Sequence, residues 1–135
     1  MHSSNKGYLA EYRAKLALVE LGYYIFEDTS GKSPVDFIAL KEDELLLVQV
    51  KFSSQVSPSG NLVVELKSTR SNRTGNTIKS FDNKAQSVLA VYDLPKNKLH
   101  LLDASRITAK SALTLNDTNL NNLLWRGKQT AGDCT

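Results

Sequence analysis

Asp36, Gln49 and Lys51 are the residues of this chain whose types and spacing point to chemistry. Gln49-Val50-Lys51 closes a short apolar run, Leu45-Leu46-Leu47-Val48, and begins thirteen residues after Asp36. A strand alternates its side chains between two faces, so Gln49 and Lys51 share the face of Leu45 and Leu47. An amide and an ammonium are thereby aimed into a half-buried layer, where a lone lysine is costly without a counter-charge or a task. Asp36, at the start of the preceding candidate strand, is the counter-charge. An ordinary ion pair at strand ends would account for these two residues on structural grounds alone. With a polar oxygen beside them, the same groups suit metal-dependent hydrolysis of a phosphodiester. That reaction needs an activated water and stabilised charge on the phosphoryl oxygens and leaving group. Asp36 offers a carboxylate, Gln49 a neutral carbonyl oxygen and the Val50 backbone another, hard donors that fit Mg²⁺, or Mn²⁺ in its place. Lys51 would orient or polarise the attacking water. Glu11 is the candidate second carboxylate, and its plain alternative is a solvated helix acid.

These residues need elements to hold them. The segment from about Asn5 to Leu21 reads as a helix, with Leu9, Tyr12, Leu16 and Val19 as its core stripe and Gly22 as its stop. Tyr23 to Glu27 reads as a strand, Thr29 to Pro34 as a loop, and Val35–Leu40 with Glu44–Phe52 as an antiparallel pair about Lys41-Glu-Asp-Glu44. A turn-rich stretch from Ser53 leads to the strand-like Leu62–Leu66, then to a basic stretch from Lys67 to Lys84. Ser87–Asp93 and Leu99–Asp103 are two more strands, and Asn116 to Trp125 is a terminal helix capped by Asn116 or Asp117. The order predicts a single α/β (α+β) layered domain with a mixed sheet over residues 1–135. Its core spans about 6–103, its insertion about 53–86, its closing or assembly segment about 113–126 and its tail 127–135. Leu113, Leu115, Leu120, Leu123, Leu124 and Trp125 are apolar enough for assembly, but such residues more often close the core.

Charge is uneven. Residues 1–66 carry six Lys/Arg against nine Asp/Glu, a net of −3, and residues 67–135 carry eleven against five, a net of +6. Carboxylates gather beside the proposed site and cations in the other half, as expected where one part holds metal and another a polyanion. Lys67, Arg70, Arg73, Lys79 and Lys84 could follow a DNA backbone, while Gln55, Ser57, Asn61, Arg70, Asn72 and Arg73 have the groups that read bases, and Ser53 is a further candidate DNA contact. The flanks Leu62–Leu66 and Thr77–Phe81 would let the region project into a groove as a hairpin. Cys134, alone near the C-terminus, excludes an internal disulfide, and His2 and His100 are too far apart in sequence to suggest a histidine metal site. No apolar run reaches a membrane span and no secretory h-region is visible, so a soluble, cytoplasmic protein is expected.

The segment Lys6 to Lys51 resembles the core of the PD-(D/E)XK nuclease superfamily. Glu11 matches its helical Glu, Asp36 within Ser33-Pro-Val-Asp-Phe-Ile-Ala39 its first motif, and Gln49-Val-Lys51 its second. Lys6-Gly-Tyr-Leu-Ala-Glu-Tyr12, followed by Gly22-Tyr-Tyr-Ile25, is similar to archaeal Holliday-junction-resolvase-like members. With Gln in the second motif, the whole chain resembles small homing endonucleases of bacterial, in particular cyanobacterial, group I introns. The resemblance implies a restriction-endonuclease-like core and Mg²⁺-dependent, site-specific cleavage of double-stranded DNA by a homodimer or tetramer. Two departures stand out. Val35 separates Pro34 from Asp36, and Gln49 replaces the usual acid, removing one anionic ligand. A junction resolvase and an inert DNA-binding module on the same fold are the alternatives.

Overall fold

The computed structural model describes residues 3–72 and 75–127, with side chains at 3, 4, 69–72 and 76 outside the description. Arg73 and Cys134 lie outside the described residues. The chain opens with helix α1 (Ser3–Glu20), followed by strands β1 (Tyr24–Phe26), β2 (Phe37–Lys41) and β3 (Glu44–Ser53). Strands β4 (Leu62–Glu65), β5 (Ser68–Asn72) and β6 (Gly75–Lys79) form the insertion. The core resumes with β7 (Val88–Asp93) and β8 (Lys98–Asp103), then a 3₁₀ turn at Ala104–Arg106, β9 (Ala112–Leu115) and α2 (Asp117–Leu123).

Five strands make one mixed sheet in the order β1-β2-β3-β7-β8, in which only β3 and β7 run parallel. The interior strand β7 is buried along its whole length, which its unbroken Val-Leu-Ala-Val-Tyr run requires. Val88 and Ala90 on one face join the core under α1, with Phe37, Ala39, Leu46 and Val48. Leu89 and Val91 on the other join a second core with Leu62, Val64, Leu66, Leu102, Leu113, Leu115 and Leu123. The β4–β9 ribbon and α2 thus close that second face, and Trp125 packs against the α1 side.

Helix α1 ends where Gly22 takes φ +97°. Gly22 N–H donates to Val19 O at 2.9 Å and Tyr23 N–H to Leu18 O at 3.0 Å, a Schellman pairing that satisfies the last carbonyls. The inward face differs from expectation. Ala10, Ala14 and Leu18 are buried, whereas Tyr12, Leu16 and Val19 of the expected core stripe are exposed. Alanines seat the helix close to the sheet, and a periodicity built on large apolar residues passes over them.

A second correction concerns the insertion. Leu62–Glu65 pairs with Ala112–Leu115, not with Thr77–Phe81. Its buried Leu62 and Val64 need an apolar partner, which Leu113 and Leu115 supply and the polar segment around Thr77 does not. The projecting hairpin is instead the shorter β5–β6 ribbon, with Ser68 opposite Lys79 and Arg70 opposite Thr77.

Candidate active site

Strand β3 changes partners along its length. Its first half pairs with β2, ending at Phe37 opposite Val48, and its second half, from Val48 to Ser53, pairs with β7. Beyond Val48 the β2 side of β3 is therefore a fork. Asp36 sits in it: its own N–H donates to Val48 O at 3.0 Å, and its Oδ2 accepts the Val50 N–H at 2.7 Å. A residue's N–H and C=O lie on one edge of an extended strand, so the Val50 carbonyl also faces the fork. Alternation puts Gln49 and Lys51, both half-buried, on the face of Leu45 and Leu47, as the sequence predicts.

Burial pushes the Asp36 carboxyl above the usual carboxylate range, with the charge of Glu11 adding to the rise. The Val50 hydrogen bond and the charges of Lys51 and Lys15 oppose it. The charges of Glu11, Lys51 and Lys15 are thus all felt at Asp36. Glu11 and Asp36 face one cleft of about 260 Å³, shared with Glu27, Asp28, Gly31, Ser33 and Val35.

Lys15 and Glu27 belong to this surround, although the sequence pattern does not single them out. Lys15 Nζ lies 3.4 Å from Glu11 Oε2 and also bonds Glu27. The i,i+4 spacing of Glu11 and Lys15 is a legible signal for the first contact; nothing local marks Glu27. Among the described residues no three His, Cys, Asp or Glu side chains form a group that could hold a metal. The oxygen donors proposed from the sequence are the carboxylates of Glu11 and Asp36, which line the cleft, and the Gln49 amide and Val50 carbonyl on β3, which are not among the residues that line it. That all-oxygen set fits a hard divalent cation that keeps several waters, and Asp36's like-charged, half-buried setting is one a cation would relieve.

The residues expected to meet DNA separate into two groups. Gln55, Lys67, Lys79 and Lys84 are exposed. Ser57 and Asn61 are half-buried in a turn that bonds to itself, with Ser57 N–H donating to Asn61 O at 2.8 Å and Asn61 N–H to Ser57 Oγ at 3.1 Å. Ser53 is buried: its hydroxyl donates to Val63 O and accepts from Gln55 N–H at 3.1 Å, so it ties β3 to β4 and has no free face for DNA. Arg70 and Asn72 lie on β5, their side chains outside the description.

The profile of a family described as PD-(D/E)XK endonuclease matches residues 1–122. A solved structure of similar fold is that of a bacterial homing endonuclease, I-Ssp6803I, at TM-score 0.72 and 22% identity over 88% of this chain and 81% of that one. At that identity the likeness is one of fold. No curated protein matches the chain significantly.

Proposed function

Because the chain belongs to the PD-(D/E)XK endonuclease family, we propose that it is a divalent-metal-dependent endonuclease cutting double-stranded DNA at specific sequences, as an intron homing enzyme does. The observation that carries this reading is the fork: Asp36 held on the Val50 amide, with Glu11 facing the same cleft and Lys51 acting on Asp36. The fold shared with a bacterial homing endonuclease supports the homing type.

Asp36, Glu11, the Gln49 amide oxygen and the Val50 carbonyl would hold Mg²⁺ or Mn²⁺. When bound, such an ion supplies charge neutralisation at the phosphoryl oxygens and a lower pKa for water. Lys51 orients the attacking water and balances negative charge developing on the phosphate. Val50 N–H fixes one Asp36 oxygen and leaves the other for the cleft. Lys15 holds Glu11 toward Glu27, setting where the helical carboxylate stands. Lys67, Arg70, Arg73, Lys79 and Lys84 bind phosphates, and Gln55, Ser57, Asn61 and Asn72 supply polar contacts to bases or backbone. One site per chain cuts one strand, so duplex cleavage takes a homodimer or a larger symmetric assembly.

The test is incubation of the protein and its Asp36→Asn variant with plasmid libraries and a four-way junction, in Mg²⁺ and in EDTA. Discrete duplex cuts in Mg²⁺, absent with the variant, are the expected result. Symmetric nicking of the junction alone would make the chain a resolvase, and binding without cutting an inert module. Cutting that survives Asp36→Asn would sink the site.

A further inference from the structure

Lys15 is a charge that the fold confines beside the cleft. Its side chain is only 18% exposed, and its Nζ lies 5.8 Å from the ring centroids of both Tyr12 and Phe37. A cation so enclosed needs a carboxylate partner, and two are at hand. Glu27, which follows β1, is in close contact with Nζ, whereas Glu11 Oε2 is 3.4 Å away, longer than a strong hydrogen bond. The charge of Lys15 also reaches Asp36. One lysine thus stands against both carboxylates that line the proposed metal site, and Glu27 takes the nearer share of it.

We propose that Glu27 is a positioning residue: it holds Lys15 to itself and so leaves Glu11 free for the divalent cation. The inference rests on the metal-dependent reading above and concerns how tightly that site binds its ion. An ammonium and a divalent cation are rivals for the same carboxylate. With a full negative charge beside it, Lys15 pulls less on Glu11. Without Glu27, the carboxylates tied to Lys15 are Glu11 and Asp36, the two that the ion needs. The part fits Glu27 better than that of a third ligand. Its carboxylate is already engaged by Lys15, and among the described residues Glu11, Glu27 and Asp36 do not form a group that could hold a metal.

Mn²⁺ binding to the full chain without DNA tests this, followed by calorimetry and by the electron paramagnetic resonance of free Mn²⁺, so that no cleavage is needed. Glu27→Gln should weaken binding about tenfold and Lys15→Met should tighten it by a similar factor, the scale of one unit charge acting on a divalent ion across several ångström near a protein surface. The decisive comparison is the double variant, Lys15→Met with Glu27→Gln. If Glu27 acts through Lys15, the double variant binds within about threefold of Lys15→Met alone, because nothing is left for Glu27 to hold. An equal loss from Glu27→Gln in both backgrounds would mean that Glu27 acts on the ion itself, and overturns the proposal. Unchanged or weaker binding by Lys15→Met overturns it too. Circular dichroism verifies folding; should Lys15→Met unfold, Lys15→Gln, which also removes the charge, makes the same comparison.

Asp36→Asn separates this inference from the reading beneath it. Mn²⁺ that binds wild type and Asp36→Asn alike, or binds neither, overturns the metal site and the proposal with it. Mn²⁺ binding that is lost in Asp36→Asn but indifferent to Lys15 and Glu27 overturns the assignment of Glu27 alone.

Discussion

Asp36 Oδ2 accepts the backbone N–H of Val50 at 2.7 Å, across the point where β2 stops and β3 runs on. A side chain thereby takes the place of the missing strand. The bond satisfies an edge amide and fixes the orientation of the carboxylate, so a structural necessity and a chemical one are met by the same atoms.

That placement has a cost that can be measured. Burial and Glu11 raise the folded-state pKa of Asp36, so ionising it opposes folding; the associated stability is complete below the ordinary carboxylate range and is lost as pH rises through the folded value. Asp36→Asn, whose amide oxygen can still accept from Val50, should therefore melt higher than wild type at pH 7 in EDTA. The difference should shrink toward pH 3–4, where carboxylates are protonated. Mg²⁺ should raise the melting temperature of wild type and not of the variant. A variant that melts lower at pH 7 in EDTA would contradict this account.

Lys51→Ala should slow cleavage by about a hundredfold or more while changing DNA affinity little, because a general-acid/base or water-orienting group acts on the chemical step. Gln49→Glu adds an anionic oxygen donor and should lower the Mg²⁺ concentration for half-maximal cleavage. Single-turnover rates across a Mg²⁺ titration read both. Wild-type rates from Lys51→Ala would remove that residue from the site.

Lys67 and Lys79 are exposed on the insertion. Replacing either by Ala should flatten the slope of log K against log salt by about one, as expected when one phosphate is no longer neutralised. Ser53→Ala should instead lower unfolding stability by about 1 kcal/mol and leave that slope unchanged, because its hydroxyl joins β3 to β4. Filter binding over a salt series, together with urea unfolding, separates the two roles.

His100 is buried opposite Val91, and burial lowers its pKa against the pull of Asp93. The unfolded chain takes up that proton near pH 6.5 while the folded chain resists it, so stability should fall as pH drops below about 6.5. His100→Phe should show a smaller loss between pH 7.5 and pH 5.5. Equal losses in both proteins would show that His100 does not set the acid limb.

The helix stop at Gly22, the β2–β3 pair and the β7–β8 pair can be read in the sequence, because turn residues and apolar runs mark them within a few positions of the chain. Asp36 and Lys51 can be read for the same reason: a charge at the end of a core strand is visible locally. The orientation of α1 cannot, because what decides it is the flat seat that Ala10 and Ala14 make against the sheet, a property of the partner as much as of the helix. Nor can the pairing of Leu62–Glu65 with Ala112–Leu115, which joins segments about fifty residues apart. A partner from another strand likewise hides the role of Ser53, whose polar side chain reads as available until β4 is set beside it.

The change of partner along β3 also fixes an order of events during synthesis. β2 and the first half of β3 are adjacent in the chain and can pair as soon as both exist, whereas Gln49, Lys51 and Ser53 are braced by Leu89, Val91 and Asp93, forty residues later. Closing so distant a parallel contact is slow relative to a hairpin. A ribosome-bound fragment ending before β7 would hold Asp36 and Lys51 with half their scaffold missing, so the chain should be harmless to the DNA around it until nearly complete.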